Sequence, residues 1–447
     1  MPTRLTRRQF LALSAGSAAT LATGCATNPV TGRRQLMFLS ESMEINLDRR
    51  WAPHQFSADY GPAQDEALNR YLAELCAQMA QHTHRPHMPY SARVVNSPVV
   101  NAYTFPGGSM GYARGLLLAL NSEAELAAVM GHEMGHVSAR HAGARQTTGL
   151  VAQMLVAGVS VYMEIEHRDY AFLAAGLGAL GAYALLSRYS RDNEREADKL
   201  GMEYAVLSGY RPHGMVEVMD VFRSLSKRRP GPIEILFATH PMSEERYDRA
   251  ARRTGRYRHA FDQKEGRERY QDRIAGLRKI APAIEALQDG QTALRNKKPE
   301  QADTAFRIAL GHAPQDYAAL TMMAKGQLAM KRHKEALRYA LEARAAYPQE
   351  PQAWHVSGLA RVHTRQFEAA LADFSDYEKT LPGNPNTIFY RGYCLDKMDR
   401  REPAAEEYAR YLRAAPNGEF SAWTRGRLEE WDQSEPAPQP QPKDSPK

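Results

Sequence analysis

Apolar residues in the first third of the chain recur at spacings that predict one amphipathic helix and a few short strands. Five of them lie at positions i, i+3, i+4, i+7 and i+11, namely Leu68, Tyr71, Leu72, Leu75 and Met79. This spacing places them on one face of a helix. Runs rich in β-branched and aromatic residues at 91–96 and 99–105, a Pro-Gly-Gly turn at 106–108 and a return run at 109–114 predict strands.

Two further helices are predicted from their end signals. Ser122, with Glu125 three residues later, forms the pattern of a capping box and opens a helix that runs to about His141. A second helix covers about 191–208 and ends at Gly209, a residue favoured after a helix C-terminus. Long helices beside a few short strands predict an α+β domain that is mostly helical with a small sheet.

The stretch 150–186 is unusually apolar, but charged residues from Glu164 to Asp169 interrupt its middle. Each half is shorter than the roughly 20 apolar residues that span a bilayer. We expect a buried or membrane-facing helical hairpin. Insertion across a membrane is the alternative.

The C-terminal third repeats with a period of 34 residues. Four prolines mark the period: Pro314, Pro348, Pro382 and Pro416. Twelve residues before each lies an alanine (Ala302, Ala336, Ala370, Ala404), eight before lies Phe306, Ala340, Phe374 or Tyr408, and twenty-four before lies Gly290, Ala324, Gly358 or Gly392. This is the pattern of tetratricopeptide (TPR) repeats, which stack into an α-solenoid.

The repeats are placed at 283–316, 317–350, 351–384 and 385–418. A helical connector at 251–282 precedes them, a capping helix at 419–431 follows, and the Pro- and Gln-rich residues 432–447 are expected to be disordered. Repeats of this kind offer a concave surface to protein partners.

The N-terminus reads as a targeting segment over 1–24. Arg7 and Arg8 before Phe10 and Leu11 are similar to a twin-arginine export signal, and Leu21-Ala22-Thr23-Gly24-Cys25 to a lipoprotein cleavage site. We expect Cys25 to be lipidated and 25–40 to form an extended tether. A simple secretory signal with an incidental cysteine, or an uncleaved anchor, is the alternative.

Charge and cysteine content exclude two classes of protein. The formal net charge is +7, and loss of the three arginines in the targeting segment leaves +4, without the basic stripe that nucleic-acid binding requires. Cys76 and Cys394 are too few and too far apart for a disulfide framework, so we expect two buried thiols.

The sharpest local signal is His132-Glu133-Met134-Gly135-His136. Histidines four residues apart on a helix share a face, so both imidazoles can reach one zinc ion while Glu133 lies beside it as a general base. Zinc with two histidines and a carboxylate keeps a fourth position for water.

The third ligand must come from elsewhere in the chain. Ala139 and Ala142 stand where a metzincin has glycine and histidine, which excludes that class, and His141 is predicted to point off the metal face in a structural role. We predict Glu194 as the ligand and Asp198, one turn later, as the acceptor for a ligating histidine, with Glu196 pointing elsewhere. A solvated charged helix face is the alternative.

Several motifs together resemble the HtpX and CAAX-prenyl-protease peptidase family. They are the His-Glu-x-x-His helix with Val137, Arg140 and His141, the run Ser190-Arg191-x-x-Glu194-x-x-Ala197-Asp198, and Thr239-His240-Pro241. The BepA-like periplasmic members with C-terminal TPR repeats are the most similar in layout. Asn28-Pro29-Val30-Thr31-Gly32-Arg33 is similar to the lipoprotein members.

This resemblance implies a zincin-type (gluzincin) metalloprotease domain over 41–250 with one Zn²⁺. It implies that His132, His136 and Glu194 bind the zinc, that Glu133 is the catalytic base, and that His240 is a transient fourth ligand or an oxyanion donor. It also implies a periplasmic enzyme anchored in the inner leaflet of the outer membrane, acting on misfolded or misassembled envelope proteins.

The strand at Asn101-Ala102-Tyr103 matches the family's substrate-binding edge strand. An exposed edge can add an extended peptide as a further strand, although an ordinary core hairpin is the alternative. The rival function is a periplasmic chaperone or adaptor whose zinc is structural and whose protease is silent. His82, His84 and His87 are interpreted as a surface loop rather than a second metal site.

Overall fold

The computed structural model describes residues 25–145 and 189–434. The targeting segment 1–24, the whole apolar stretch 150–186 with its expected hairpin, and the expected tail 432–447 from residue 435 onward lie outside these ranges. In the described part of the chain, no helix combines the length and the apolar character needed to cross a membrane.

The first described residues form a two-stranded antiparallel hairpin. Strands β1 (Cys25–Thr27) and β2 (Arg34–Leu36) pair with each other. Asn28 closes the turn, because its Oδ1 accepts hydrogen bonds from the N–H groups of Val30 and Thr31 at 2.8 and 3.1 Å. The expected extended tether is therefore wrong: Met37 and Leu39 are buried, and the segment packs against the domain that follows.

A three-stranded sheet follows, with order β3-β5-β4. β3 (Ser91–Val95) is parallel to β5 (Ser109–Ala113), and β4 (Ala102–Thr104) is antiparallel to β5. The short strand β4 is thus an edge of the sheet, and it packs against the helix that carries the His-Glu-x-x-His motif.

Helices surround this sheet. They are α1 (Glu41–Ala58), α2 (Glu66–Ala80), α3 (Arg114–Ala119), α4 (Glu123–Ser138), α5 (Arg191–Leu207), α6 (His213–Arg228), α7 (Pro230–Thr239) and α8 (Glu244–Thr254). The five apolar residues that predicted α2 are all buried. Every residue of α4 is buried, so this helix lies in the core of the domain.

The ends of α4 differ in detail from the sequence pattern. Ser122 accepts from the N–H of Glu125 as expected, but the Glu125 carboxylate accepts from the N–H of Asn121, one residue before the position that completes a capping box. The helix ends at Ser138 rather than near His141, because Arg140 takes a positive φ of 58° and turns the chain.

The expected connector 251–282 belongs to the core of the α+β domain. It contains a 3₁₀ helix (Gly255–Ala260), α9 (Arg267–Arg273) and α10 (Ala275–Lys279). Tyr270, Ile274 and Leu277 are buried in the same cluster as α2 and α4. The Tyr270 hydroxyl donates to the carbonyl oxygen of Leu117 at 2.6 Å.

Four helix pairs and a final helix form the C-terminal solenoid. The pairs are α11 (Ala281–Arg295) with α12 (Pro299–His312), α13 (Tyr317–Ala329) with α14 (His333–Ala346), α15 (Gln352–His363) with α16 (Phe367–Thr380), and α17 (Pro385–Lys397) with α18 (Arg401–Ala414), before α19 (Ser421–Ser434). The predicted class, an α+β domain followed by TPR repeats, is confirmed.

The small and aromatic positions of the period pack against each other. A Cβ atom at Gly290, Gly358 or Gly392 would lie 2.2 to 2.7 Å from the ring of Phe306, Phe374 or Tyr408. The two helices of a pair approach at this point only because one residue has no side chain.

Buried polar contacts join the α+β domain to the repeats. The Nε2 of Gln352 donates to the carbonyl oxygen of Ser57 at 2.6 Å. Within the repeats, Lys325 Nζ donates to Oε1 of the same Gln352 at 2.5 Å. Arg114, in the α+β domain, pairs with Asp316 at 2.5 Å. The solenoid therefore packs on the α+β domain.

Candidate metal centre

Helix α4 presents three side chains of the motif toward helix α5. The two helices cross at glycines: a Cβ at Gly201 would lie 2.6 Å from the backbone nitrogen of His132, and one at Gly131 would lie 2.5 Å from the Gly201 carbonyl oxygen. This close approach brings Glu194 and Asp198 of α5 next to His132 and His136.

Four ligand atoms converge in this space. Within the two described ranges, the one set of histidine, cysteine and carboxylate side chains close enough to share an ion is His132, His136, Glu194 and His240. All four residues are buried, and Glu194 has no exposed surface. The structure thus brings together the three predicted ligands and the predicted His240.

The distances between these atoms test whether zinc fits. His132 Nε2 lies 3.1 Å from His136 Nε2 and 3.4 Å from His240 Nδ1. Glu194 Oε1 lies 3.5 Å from His136 Nε2 and 3.1 Å from His240 Nδ1, and Glu194 Oε2 lies 3.6 Å from His132 Nε2. Ligands about 2.0 to 2.1 Å from a tetrahedral zinc are about 3.3 Å apart, so the four residues fit this metal.

Asp198 fixes the orientation of His132. Its Oδ1 lies 3.0 Å from His132 Nδ1, which leaves Nε2 directed at the cluster. A carboxylate on the far nitrogen is the usual way in which a metal-binding histidine is held in one tautomer.

Arg246, which no sequence motif indicated, contacts both Asp198 and Glu194 of α5. Its guanidinium donates to both oxygens of Asp198 at 2.8 Å and lies 2.7 Å from Glu194 Oε2. Burial alone would raise the pKa of Asp198, but the charge of Arg246 and its hydrogen bonds outweigh burial and lower this pKa. Arg246 and Ala250 are the buried residues of the otherwise charged helix α8, and the sequence alone does not distinguish Arg246 from the arginines around it.

His240 reaches the cluster from the end of α7. Its N–H donates to the Leu236 carbonyl at 2.7 Å, which closes the helix, and Arg246 donates to the carbonyl of Pro241 at 2.8 Å. These bonds hold the Thr239-His240-Pro241 turn beside α5.

Glu133 lies beside the cluster but outside it. Its Oε1 is 3.9 Å from His240 Nε2, and its buried Oε2 has no hydrogen-bond partner. Burial raises the pKa of Glu133, and the neighbouring His240 and His132 only partly oppose this shift. A carboxylate with a raised pKa is suited to accept and return a proton near neutral pH.

His136 has a different environment from His132. Tyr189 stacks on its ring with centroids 3.8 Å apart, and His141 Nδ1 lies 2.9 Å from His136 Nδ1. His141 Nε2 in turn lies 3.1 Å from Glu196 Oε2. Neither His141 nor Glu196 is among the four candidate ligand residues, but His141 contacts His136 directly and Glu196 contacts His141.

The predicted substrate strand lies beside the cluster, with its residues in different roles. Ala102 lines an apolar pocket together with His132, Glu133 and His240. The ring of Tyr103 does not line this pocket and packs instead against Phe56 and Phe105. The pocket is completed by side chains of α4, α6 and α7, among them Val129, Met215, Met219, Phe222 and Phe237.

The other candidate residues have ordinary partners. His84 Nδ1 lies 2.7 Å from the Tyr204 hydroxyl, and His87 contacts Glu41 at 3.0 Å. Cys76 and Cys394 are buried thiols, and burial raises the pKa of each to about 12.

Comparison with known proteins agrees with this geometry. Residues 66–254 match the family described as peptidase family M48, which confirms the resemblance inferred from the motifs. The beta-barrel assembly-enhancing protease of Escherichia coli K12 is 29% identical over 198 residues, 43% of this chain and 40% of that protein. The mitochondrial metalloendopeptidase OMA1 of Arabidopsis thaliana is 30% identical over 216 residues, 48% of this chain and 41% of that protein.

The chain spans about two-fifths of the length of these relatives. Among solved structures, the TPR protein YrrB covers 46% of this chain and 99% of its own, with 14% identity and a TM-score of 0.31. A Pseudomonas aeruginosa pilF structure covers 37% of this chain and 77% of its own, with 19% identity and a TM-score of 0.32.

Proposed function

We propose that this chain, whose residues 66–254 form a peptidase domain of family M48, is a zinc-dependent endopeptidase of the cell envelope. The observation that carries the proposal is the set of four buried residues whose ligand atoms lie within 4.8 Å of one another, with the carboxylate of Glu133 beside them. An unfolded or misassembled envelope protein is the proposed substrate.

Each residue of the cluster has a proposed part. His132, His136 and Glu194 bind one Zn²⁺, and Asp198, held by Arg246, keeps His132 in the tautomer that offers Nε2. Bound zinc supplies an activated water and polarises the scissile carbonyl. Glu133 takes the proton from the attacking water and delivers it to the leaving amine.

His240 is proposed to close the site at rest. Its Nδ1 occupies the fourth corner of the cluster, 3.4 Å from His132 Nε2 and 3.1 Å from Glu194 Oε1. A site with four protein ligands has no position for water. His240 must therefore move away for cleavage, after which its ring can donate to the developing oxyanion.

The edge strand β4 is proposed to hold the substrate. An extended peptide pairs with the backbone of Asn101, Ala102 and Tyr103, so the strand contributes main-chain hydrogen bonds rather than the Tyr103 ring. This places the peptide beside Glu133, since Ala102 and Glu133 line the same pocket.

The remaining parts of the chain suggest where the enzyme works. Cys25 is proposed to carry a lipid anchor in the inner leaflet of the outer membrane, with the enzyme in the periplasm. The four TPR repeats are proposed to dock a partner or substrate. The name of the Escherichia coli relative, beta-barrel assembly-enhancing protease, supports a role in envelope protein quality control.

The Glu133→Gln substitution tests the proposed activity. It keeps the shape of the side chain but removes the base, so we expect cleavage of an unfolded protein to fall at least about 100-fold while zinc content stays at one per chain. Glu203→Gln, on α5 and outside the cluster, is the matched control and should cleave like the wild type. Full activity in Glu133→Gln would contradict the proposal.

A second candidate is supported by the position of His240. If this residue closes the site permanently, the chain is a TPR adaptor or chaperone with a structural zinc. His240→Ala separates the two functions. If His240 closes the site of an active enzyme, the substitution changes the rate of cleavage, and this cleavage still requires Glu133. An adaptor shows no cleavage in either form.

A further inference from the structure

His136 is the one histidine of the His-Glu-x-x-His pair without a carboxylate on its far nitrogen. His132 meets Asp198 directly at 3.0 Å, whereas His136 Nδ1 meets another imidazole, that of His141, at 2.9 Å. Both imidazoles are nearly inaccessible, with 1% and 4% of His136 and His141 exposed.

The hydrogens of this contact can be assigned from chemistry. His136 Nε2 faces the cluster and needs its lone pair for a metal, so its proton lies on Nδ1 and is donated to His141 Nδ1. His141 Nδ1 must then be an acceptor, which places its proton on Nε2. That N–H points at Glu196 Oε2, 3.1 Å away, and the chain of bonds ends on a carboxylate.

We propose that His141 and Glu196 are positioning residues that hold His136 in its metal-binding tautomer. Helix α5 then supplies a ligand and both supports within two turns: Glu194 to the metal, Asp198 to His132, and Glu196 to His136 through His141. The proposal rests on the proposed zinc site, but not on any particular substrate.

The backbone explains how His141 comes to this place. A regular helix would carry it about 140° around the axis from His136. The helix ends at Ser138, and Arg140 adopts φ 58°, so His141 folds back over the last turn. Arg140 is held in this conformation by bonds to Glu44 at 3.0 Å and to the Leu39 carbonyl at 2.7 Å.

A pair of substitutions separates orientation from packing. His141→Phe keeps an aromatic ring at this position but offers no hydrogen-bond acceptor to His136. His141→Asn loses ring volume but keeps a side-chain oxygen near the position of Nδ1. If His141 only fills space, Phe is the milder change, and if it orients His136, Asn is the milder change.

The measurement is the zinc dissociation constant of the full chain, by competition with a chromogenic chelator, beside thermal unfolding of the metal-free protein. We expect His141→Phe to weaken zinc binding by about 10- to 100-fold, the usual effect of losing such a support, and His141→Asn to weaken it less. Glu196→Ala should weaken binding, and Glu203→Ala on the same helix should not.

Two results would overturn the proposal: wild-type zinc affinity in His141→Phe, or equal weakening by Phe and Asn. If His141→Phe does not fold, the comparison of Glu196→Ala with Glu203→Ala decides, with equal affinities counting against the proposal. The readout is independent of cleavage, so the order of zinc affinities can hold even if the wild type cleaves no protein.

Discussion

Arg246 is the residue that pairs with the buried carboxylates of the candidate metal centre. Asp198 and Glu194 are both carboxylates in the interior, and the guanidinium contacts both of them. A buried ion pair adds little net stability, but removing one partner leaves the other charge unpaired in a medium that solvates it poorly.

We therefore expect Arg246→Met to lower the free energy of unfolding by about 3 to 5 kcal/mol and to weaken zinc binding. Urea unfolding and zinc titration measure the two effects. Arg249→Met is the control: Arg249 lies on the same helix, is half exposed and pairs with Glu245 at the surface, so its loss should cost less than about 1 kcal/mol. Equal losses in the two variants would contradict this role for Arg246.

At the scale of residues, the sequence predicted the site residues that lie four apart on a regular helix. It did not predict the site residues whose positions depend on an irregular backbone or on the packing of a separate helix. His132 and His136 on one helix, and Glu194 and Asp198 on another, follow from the spacing of four. The contact of His141 with His136 depends on the positive φ of Arg140, and that of Arg246 on how α8 packs against α5. Neither leaves a periodic pattern in the sequence.

At the scale of elements, the crossing of α4 and α5 positions the proposed ligands. Gly201 faces the backbone of His132, with room for a hydrogen but not for a methyl group. A larger residue must push the helices apart, which would move Glu194 away from the two histidines.

Gly201→Ala is accordingly expected to reduce zinc affinity and to lower the free energy of unfolding by about 1 to 3 kcal/mol, as overpacking does. The control is Gly311→Ala in α12, where a Cβ would meet nothing within 4 Å. There alanine should be neutral or stabilising by up to about 1 kcal/mol. Wild-type zinc affinity in Gly201→Ala would show that the crossing does not set the site.

Elements that follow a periodic sequence pattern could be predicted from the sequence. Elements that depend on packing against the rest of the domain could not. The 34-residue repeat predicted the helix pairs, and it extends to the turn between the helices of each pair, where Lys297, Lys331, Arg365 and Asp399 all have positive φ. The β1–β2 hairpin depends on the Asn28 side chain, and α9 and α10 on the burial of Tyr270 and its neighbours. Neither the hairpin nor these two helices could be predicted, because the segments that form them are rich in polar or charged residues.

At the scale of the whole molecule, a buried polar cluster joins catalytic domain and solenoid. Glu350 accepts from the Ser57 hydroxyl, and Lys325 contacts the ring of Tyr60 at 4.9 Å. Burial raises the pKa of Glu350 to about 7, against the opposing effects of Ser57 and Lys325, and burial lowers the pKa of Lys325 to about 8.

The raised pKa of Glu350 predicts a pH dependence of stability. The folded state holds the proton more tightly than the unfolded state, so this contribution is complete below pH 4.5 and is lost as the pH rises through about 7. Relative to Glu350→Gln, which stays neutral, the wild type should lose up to about 3 kcal/mol between pH 4.5 and 8.

Urea unfolding of both proteins at several pH values measures this difference. The exposed Glu342→Gln, which only removes a surface pair with Arg338, should show no such trend. A constant difference between the wild type and Glu350→Gln from pH 4.5 to 8 would contradict the assignment. This cluster could not be predicted from the sequence, because its members come from distant segments and carry no motif.

The central claim, that α4, α5 and the His240 turn enclose one zinc ion, is tested most directly by a crystal structure of the zinc-loaded chain with anomalous diffraction at the zinc edge. We predict a single peak within about 2.0 to 2.2 Å of His132 Nε2, His136 Nε2 and a Glu194 oxygen, with His240 Nδ1 at the fourth corner in the resting state. A peak elsewhere, or a Glu194 side chain directed away from both histidines, would contradict the account.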